Sequence, residues 1–233
     1  IELKIIPATL LNNYVNLFND AVADDFYALQ ESEISTASFN FYHSVAAVFS
    51  SRIEGEKITL DEFIKHRIQN VDFQPDYTRK IDDLYQAYQF ATTNALTLEN
   101  FKTAHGLLTK NILLPPQQGT FRTGDMYVLT ASGKIEYVAA APQLVNEHIN
   151  YLFDDITKLL QTDLTFAEVL YFASMIHLVF VKIHPFNDGN GRAGRLLEKW
   201  FLAAKLGSKA WFVESERFYH DNHDMYFANI RKL

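Results

Sequence analysis

A chain of 233 residues that is 48% hydrophobic and 21% charged suffices for one globular domain or two small ones with a substantial core. Its formal net charge of −7 argues against nucleic-acid binding, because phosphate repels an acidic surface, but allows a local basic pocket for one small phosphate ligand. The absence of cysteine excludes disulfides, thiolate zinc sites and a cysteine nucleophile.

In chain order, helices are expected over 8–30 and 38–54, where apolar residues recur at helical spacing. Thr59 and Glu62 then form a capping box that starts a helix to about residue 69. Further helices are expected over 77–94 and 97–110. After a Pro-Gly loop at 115–119, residues 126–138 carry β-formers on both sides of Ser132-Gly133, which predicts a small hairpin. A lone hairpin is weak, so it is expected to lie on the helical body. Helices follow at 143–160, 165–183 (capping box Thr165 and Glu168, stopped by Pro185), 192–205 and 216–232. The expected fold class is all-α with one small β-hairpin. The N-terminus is no signal peptide, and the most apolar stretch, 175–183, is too short to span a bilayer. The expectation is a cytoplasmic protein with no membrane partner. A start on Ile1 rather than Met fits a segment of a longer gene product.

The chemistry concentrates in His184-Pro-Phe-Asn-Asp-Gly-Asn-Gly-Arg-Ala-Gly-Arg195. A glycine-rich loop that opens a helix lets backbone N–H groups converge, and the helix N-terminus adds partial positive charge. Gly189, Asn190 and Gly191 suit such an anion nest. Arg192 and Arg195, one turn apart, invite a polyphosphate. Asp188 suits Mg²⁺ carried on phosphates. His184 is the one group here that titrates near neutrality, and so the natural general base. A polar-capped corner between two helices explains any one of these residues but not the combination.

This stretch matches His-x-Phe-x-Asp-Gly-Asn-Gly-Arg-x-x-Arg at every fixed position and resembles the Fic/Doc family. The resemblance extends to Gly119-x-x-Arg122, the hairpin and Pro142, so it covers at least 97–233 and leaves 1–96 as an N-terminal helical region. Members usually carry two prolines after the hairpin, where this chain has Ala141-Pro142. The resemblance implies transfer of AMP from ATP, with Mg²⁺, to a Ser, Thr or Tyr hydroxyl of a target protein. It implies that His184 deprotonates the hydroxyl, Asp188 binds Mg²⁺, and Gly189, Asn190 and Gly191 cradle phosphates. Arg192 and Arg195 would hold the β- and γ-phosphates. The hairpin, about 126–138, would be a flap that registers the target by backbone hydrogen bonds. Asn222 and Tyr226 are candidates for adenine contact, Tyr226 equally for a core aromatic.

Ser50-Ser-Arg-Ile-Glu54-Gly55 ends the helix at 38–54 and matches the family's inhibitory motif, Ser/Thr-x-x-x-Glu-Gly/Asn. A carboxylate at a helix C-terminus opposes the macrodipole unless a cation is near. The resemblance implies that Glu54 pairs with Arg195 at the γ-phosphate position, with Ser50 on the same face, in the class whose inhibitory helix precedes the catalytic core. Restrained members often self-associate, so a homo-oligomer is among the expected partners. Two other readings stay open: removal of AMP, with Glu54 orienting water, and a nucleotide-sensing binding module without turnover. His220 and His223 read as exposed helix residues rather than metal ligands, and His105 as structural.

Overall fold

The computed structural model describes residues 2–29, 36–71, 73, 75–129 and 135–232. Its helices are α1 (Leu11–Leu17), α2 (Ala21–Ala28), α3 (Thr36–Ile53), α4 (Leu60–Gln69), α5 (Pro75–Thr93) and α6 (Leu98–Leu108), followed by α7 (Pro142–Gln161), α8 (Phe166–Ile183), α9 (Asn190–Leu206), α10 (Ser215–Asp221) and α11 (His223–Arg231). Between α6 and α7, β1 (Tyr127–Leu129) and β2 (Ile135–Val138) pair antiparallel, with Tyr127 opposite Val138 and an irregularity between Val128 and Leu129. The turn expected at Ser132-Gly133 lies outside the described residues.

Both capping boxes form. Thr59 Oγ1 accepts the Glu62 N–H at 3.2 Å and Glu62 Oε2 accepts the Thr59 N–H at 2.7 Å. The same exchange joins Thr165 and Glu168 at 3.3 and 2.7 Å. Two expected helices are each broken in two. Residues 8–30 divide into α1 and α2 because Phe18 is extended (ψ 138°) and Asn19 Oδ1 accepts the Ala21 N–H at 3.1 Å. This local side-chain bond competes with a continuous helix. Residues 216–232 divide at Asn222 (φ −115°, ψ 39°), whose amide donates back to Phe218 O at 2.9 Å. α9 starts two residues earlier than expected, at Asn190, because Gly189 (φ 78°) makes the turn into it.

α8 is the central element. It is apolar over 18 residues with a mean hydropathy of 1.7, enough by length and composition to cross a membrane, but 56% of it is buried within the protein. It packs against α1, α7 and α9, and such a helix is apolar all round because neighbours cover it. Gly194 lets α9 cross it closely, since a Cβ there would come within 3.2 Å of Phe180 and Val181. One hydrophobic core takes residues from both sides of position 96, among them Phe63, Tyr88, Phe101, Ile149 and Phe201. α3 packs on α5, α9 and α10, which brings its C-terminal turn to the start of α9.

Candidate active site

The loop between α8 and α9 is built around Phe186. α8 ends where His184 takes a left-handed backbone (φ 51°), its N–H still bonded to Phe180 O at 3.0 Å, and Pro185 prevents continuation. Phe186 turns into the core and stacks on the His105 imidazole, with centroids 3.4 Å apart and planes 9° from parallel. Asn190 staples the loop from within: Oδ1 accepts the Phe186 N–H and Nδ2 donates to Phe186 O, both at 2.9 Å. The Asn190 side chain is thus committed to the loop, which leaves its backbone N–H at the start of α9.

Arg122, 3% exposed, joins the hairpin to this loop. Nε donates to His184 O at 2.7 Å and Nη2 to Ile183 O at 3.2 Å. The same guanidinium reaches Gly124 O before β1 at 2.7 Å and Ala140 O after β2 at 2.5 Å. One fork of five donors thus ties both ends of the hairpin to the histidine's backbone. Sequence reasoning placed Arg122 in the family pattern without this role, because its partners are carbonyls, which carry no sequence signal.

At the start of α9 the first intrahelical donor is Ala193 N, bonded to Gly189 O at 2.9 Å. The N–H groups of Asn190, Gly191 and Arg192 precede it at the positive end of the helix dipole. Asp188 is exposed at the mouth, and its Oδ1 accepts the Gly189 N–H at 2.5 Å. The His184 Nδ1 lies 3.1 Å from Val181 O. A proton on Nδ1 makes that hydrogen bond and leaves the lone pair of the neutral ring on Nε2. Burial pushes the His184 imidazole below the ordinary histidine value, and the Arg122 charge adds to this. The ring is therefore neutral at pH 7, the state a general base requires.

Both arginines are buried and both meet carboxylates. Arg195 Nη2 donates to Glu54 Oε1 at 2.6 Å and to Ser50 O at 2.9 Å, Nε donates to Ser50 Oγ at 2.8 Å, and Nη1 to Tyr226 Oη at 3.2 Å. The expected meeting of Ser50, Glu54 and Arg195 is thus present. Glu54 also faces the anion nest, since a Cβ on Gly191 would lie 2.3 Å from its Oε1. Burial pushes the Glu54 carboxyl up, but the charges of Arg195 and Arg192 outweigh it and hold the group below the usual glutamate value. Arg192 makes an unforeseen contact: Nη2 donates to Glu56 Oε1 at 2.8 Å. Glu56 follows Gly55 (φ 98°) and is 5% exposed. No periodicity marks a residue just past a helix stop, so the sequence gives it no role.

Tyr226 is one of the two adenine candidates, and its hydroxyl is shared. It accepts from Arg195 and lies 3.0 Å from His177 Nε2, while His177 Nδ1 lies 2.5 Å from Glu198 Oε2. Tyr219 donates to Glu198 Oε1 at 2.7 Å, and its ring stacks on Tyr226 at 4.8 Å. Tyr226 is buried, and its hydroxyl backs Arg195. Asn222 and Tyr226 also line a mainly apolar cavity of about 190 Å³ with His177, Leu178 and Met225.

Among the described residues no three His, Cys, Asp or Glu side chains converge on a point. A cation carried on a polyphosphate needs only one or two protein carboxylates. Asp188 supplies one beside the nest, so the donor set fits Mg²⁺ arriving with a nucleotide.

Fold and site together define a helical protein organised around one histidine and one anion nest. Residues 95–202 match the Fic/DOC family, and the chain contains a domain of that family. Among curated relatives it is 28% identical over 171 residues to "Protein adenylyltransferase Fic" of Nematostella vectensis, covering 73% of this chain and 32% of that protein. It is also 28% identical over 158 residues to a "Probable protein adenylyltransferase" of Aquifex aeolicus, covering 64% and 44%. The chain thus spans less than half the length of these relatives. Its fold is shared with a Fic family protein from Desulfovibrio desulfuricans, with a TM-score of 0.80 and 19% identity over 99% of this chain and 68% of that one. It is also shared with Fic-1 (aa134–508, E274G) from C. elegans, with a TM-score of 0.65 and 18% identity over 95% and 64%. Glu54, Glu56 and Tyr226 lie outside the stretch that matches the family.

Proposed function

We propose that this protein is an adenylyltransferase that moves AMP from ATP to a Ser, Thr or Tyr hydroxyl of a target protein, restrained by Glu54. The observation that carries the reading is the position of one carboxylate. Glu54 reaches Arg195 at 2.6 Å and lies over Gly191 at the start of α9, where the nest and the arginine would otherwise take a phosphate. The names of the curated relatives, protein adenylyltransferases, support the same chemistry.

In this reading the α-phosphate rests on the N–H groups of Gly189, Asn190 and Gly191. Arg192 and Arg195 hold the β- and γ-phosphates, and Asp188 would hold Mg²⁺, whose charge offsets that of the pyrophosphate leaving group. The target hydroxyl oxygen attacks the α-phosphorus as its proton passes to His184 Nε2. The bond from the α-phosphorus to the bridging oxygen breaks, and pyrophosphate departs with that electron pair. Positioning and charge neutralisation supply most of the catalysis. The hairpin would act as a flap that docks the target, with Arg122 fixing its base relative to His184. The cavity lined by Asn222 and Tyr226 would take the adenine. Residues 1–96 would then be the regulatory region and 97–233 the catalytic one. Self-association and a cytoplasmic setting belong to the same proposal.

A second reading, removal of AMP from a modified target, has one observation in its favour: the Glu54 carboxylate faces Gly191, in the loop that follows His184. A carboxylate turned toward that loop is what orienting a water requires.

The test uses α-³²P-ATP, Mg²⁺ and a cell lysate with wild type, Glu54→Gly, and Glu54→Gly combined with His184→Ala. Strong protein labelling by Glu54→Gly alone is expected, with at least a hundredfold loss on adding His184→Ala, at the scale of a lost general base. Equal labelling by wild type and Glu54→Gly would remove the brake. No labelling by any variant, with AMP released from a pre-modified substrate, would favour the second reading.

A further inference from the structure

His105 sits on α6, fully buried, with both ring nitrogens engaged. Nδ1 accepts the Gly119 N–H at 3.0 Å. The neutral ring therefore carries its proton on Nε2, which donates to the Asp188 carbonyl at 2.9 Å. The imidazole also lies flat on Phe186. The backbone presses on α6 from both sides. A Cβ on Gly119 would lie 2.5 Å from Lys102 O, and one on Gly189 would lie 2.7 Å from Thr109 Cγ2 and 3.4 Å from His105 Nε2.

A trans peptide is planar, with its C=O and N–H on opposite sides. Holding Asp188 O against α6 turns the Gly189 N–H away from α6, toward the mouth where Asp188 Oδ1 accepts it at 2.5 Å. Glycine at 189 lacks the Cβ that would resist rotation of this peptide, so something else must hold it. We infer that His105 is a positioning residue for phosphate: it pins the 188–189 peptide so that an N–H, rather than a carbonyl oxygen, faces the anion. The inference rests on the nucleotide reading above. Released, the peptide can turn its carbonyl toward the phosphates, which exchanges an attractive dipole for a repulsive one.

Calorimetric titration of Mg·ATP into the full chain carrying Glu54→Gly tests this, alone and with His105→Phe or His105→Gln. Phenylalanine keeps a ring on Phe186 and loses both hydrogen bonds, whereas glutamine retains a donor for Asp188 O. Binding is expected to weaken about tenfold with phenylalanine and under about threefold with glutamine, the scale of one hydrogen bond. Equal affinities across the three proteins would overturn the inference, whatever their stabilities. Should His105→Phe fail to fold, the Gly189 amide in ¹⁵N-labelled Glu54→Gly protein decides. A downfield shift on adding Mg·ATP supports the pin, and an unmoved resonance overturns it. If Glu54→Gly itself binds no Mg·ATP, the nucleotide reading fails and the inference falls with it; loss of the His105 effect alone leaves that reading standing.

Discussion

Arg192 and Arg195 stand one turn apart on α9, and both meet a glutamate from the turn that ends α3, yet the two pairs are built differently. Arg195 has four hydrogen bonds, and three of them do not involve Glu54. Its acid is only partly buried, with the Glu54 side chain 32% exposed. Arg192 has a buried acid, Glu56, and its own Nε finds no partner among the described residues. Lys80 Nζ approaches the same Glu56 oxygen at 3.9 Å. An acid that reaches solvent can give way to a phosphate without stranding its arginine. A buried acid between two cations works as a strut. The comparison assigns exchange to the pair at Arg195 and support to the pair at Arg192.

The largest effect should come from cutting the strut. Glu56→Ala removes the acceptor of the buried Arg192 guanidinium and the side chain packed there, which costs about 3 kcal/mol. Glu54→Ala should cost below about 1 kcal/mol, the range of solvent-exposed pairs. Urea unfolding of the two variants checks the contrast, and equal losses would dissolve it. Tyr226→Phe comes next. It removes the hydroxyl between Arg195 and His177 and strands two buried groups, at about 2 kcal/mol. In a Glu54→Gly background it should also raise the ATP KM about tenfold with little change in kcat, because Arg195 would lose its anchor in the catalytic core. An unchanged KM would show that Ser50 alone suffices to orient Arg195.

Ser50→Ala is milder. Arg195 keeps the Ser50 carbonyl and Glu54, so a stability loss of about 1 kcal/mol is expected. Labelling should rise by a few-fold at most, since the carboxylate still occupies the nest. A rise as large as that of Glu54→Gly would transfer the brake from the acid to the hydroxyl.

The sequence shows one member of this comparison more clearly than the other. The signature loop, the capping boxes and the Ser50-x-x-x-Glu54-Gly55 motif were readable because each is a local pattern with fixed spacing, whereas the pairing of Glu54 with Arg195, 141 residues away, came only from the family resemblance. Glu56, Arg122 and the His177–Glu198 contact were not, because their partners lie 136, 62 and 21 residues away and include backbone carbonyls. The bonds of the Asn190 amide to Phe186 were not readable for a related reason: an amide in a glycine-rich loop can face a ligand or bond the chain four residues back, and spacing does not distinguish the two. The breaks at Asn19 and Asn222 were hidden because the apolar spacing runs straight through them, while the side-chain bonds that interrupt the helices leave the periodicity unchanged.

The smallest expected effect is one of sign. Glu54 has a folded pKa held below the unfolded value of about 4.3, with the Arg195 and Arg192 charges outweighing burial. Its ionised form therefore stabilises the fold above that value, and the contribution is lost as pH falls through the folded pKa. Glu56 runs the other way. Burial outweighs Arg192 and Lys80 and raises its pKa, so its contribution is full below the unfolded value and is lost as pH rises through the folded one. Replacing each acid with glutamine keeps an acceptor for the arginine and removes the titration. At pH 7 Glu54→Gln should be less stable than wild type, and Glu56→Gln equal or slightly more stable, each by about 1 kcal/mol or less. The Glu54 difference should shrink as pH falls below about 4.3, and the Glu56 difference should already have vanished as pH falls to that value. Urea unfolding at pH 7 and pH 4 measures this. A loss of stability in Glu56→Gln at pH 7 would show that the buried charge earns more from Arg192 than it loses to desolvation, and the strut would then be an exchangeable pair like its neighbour.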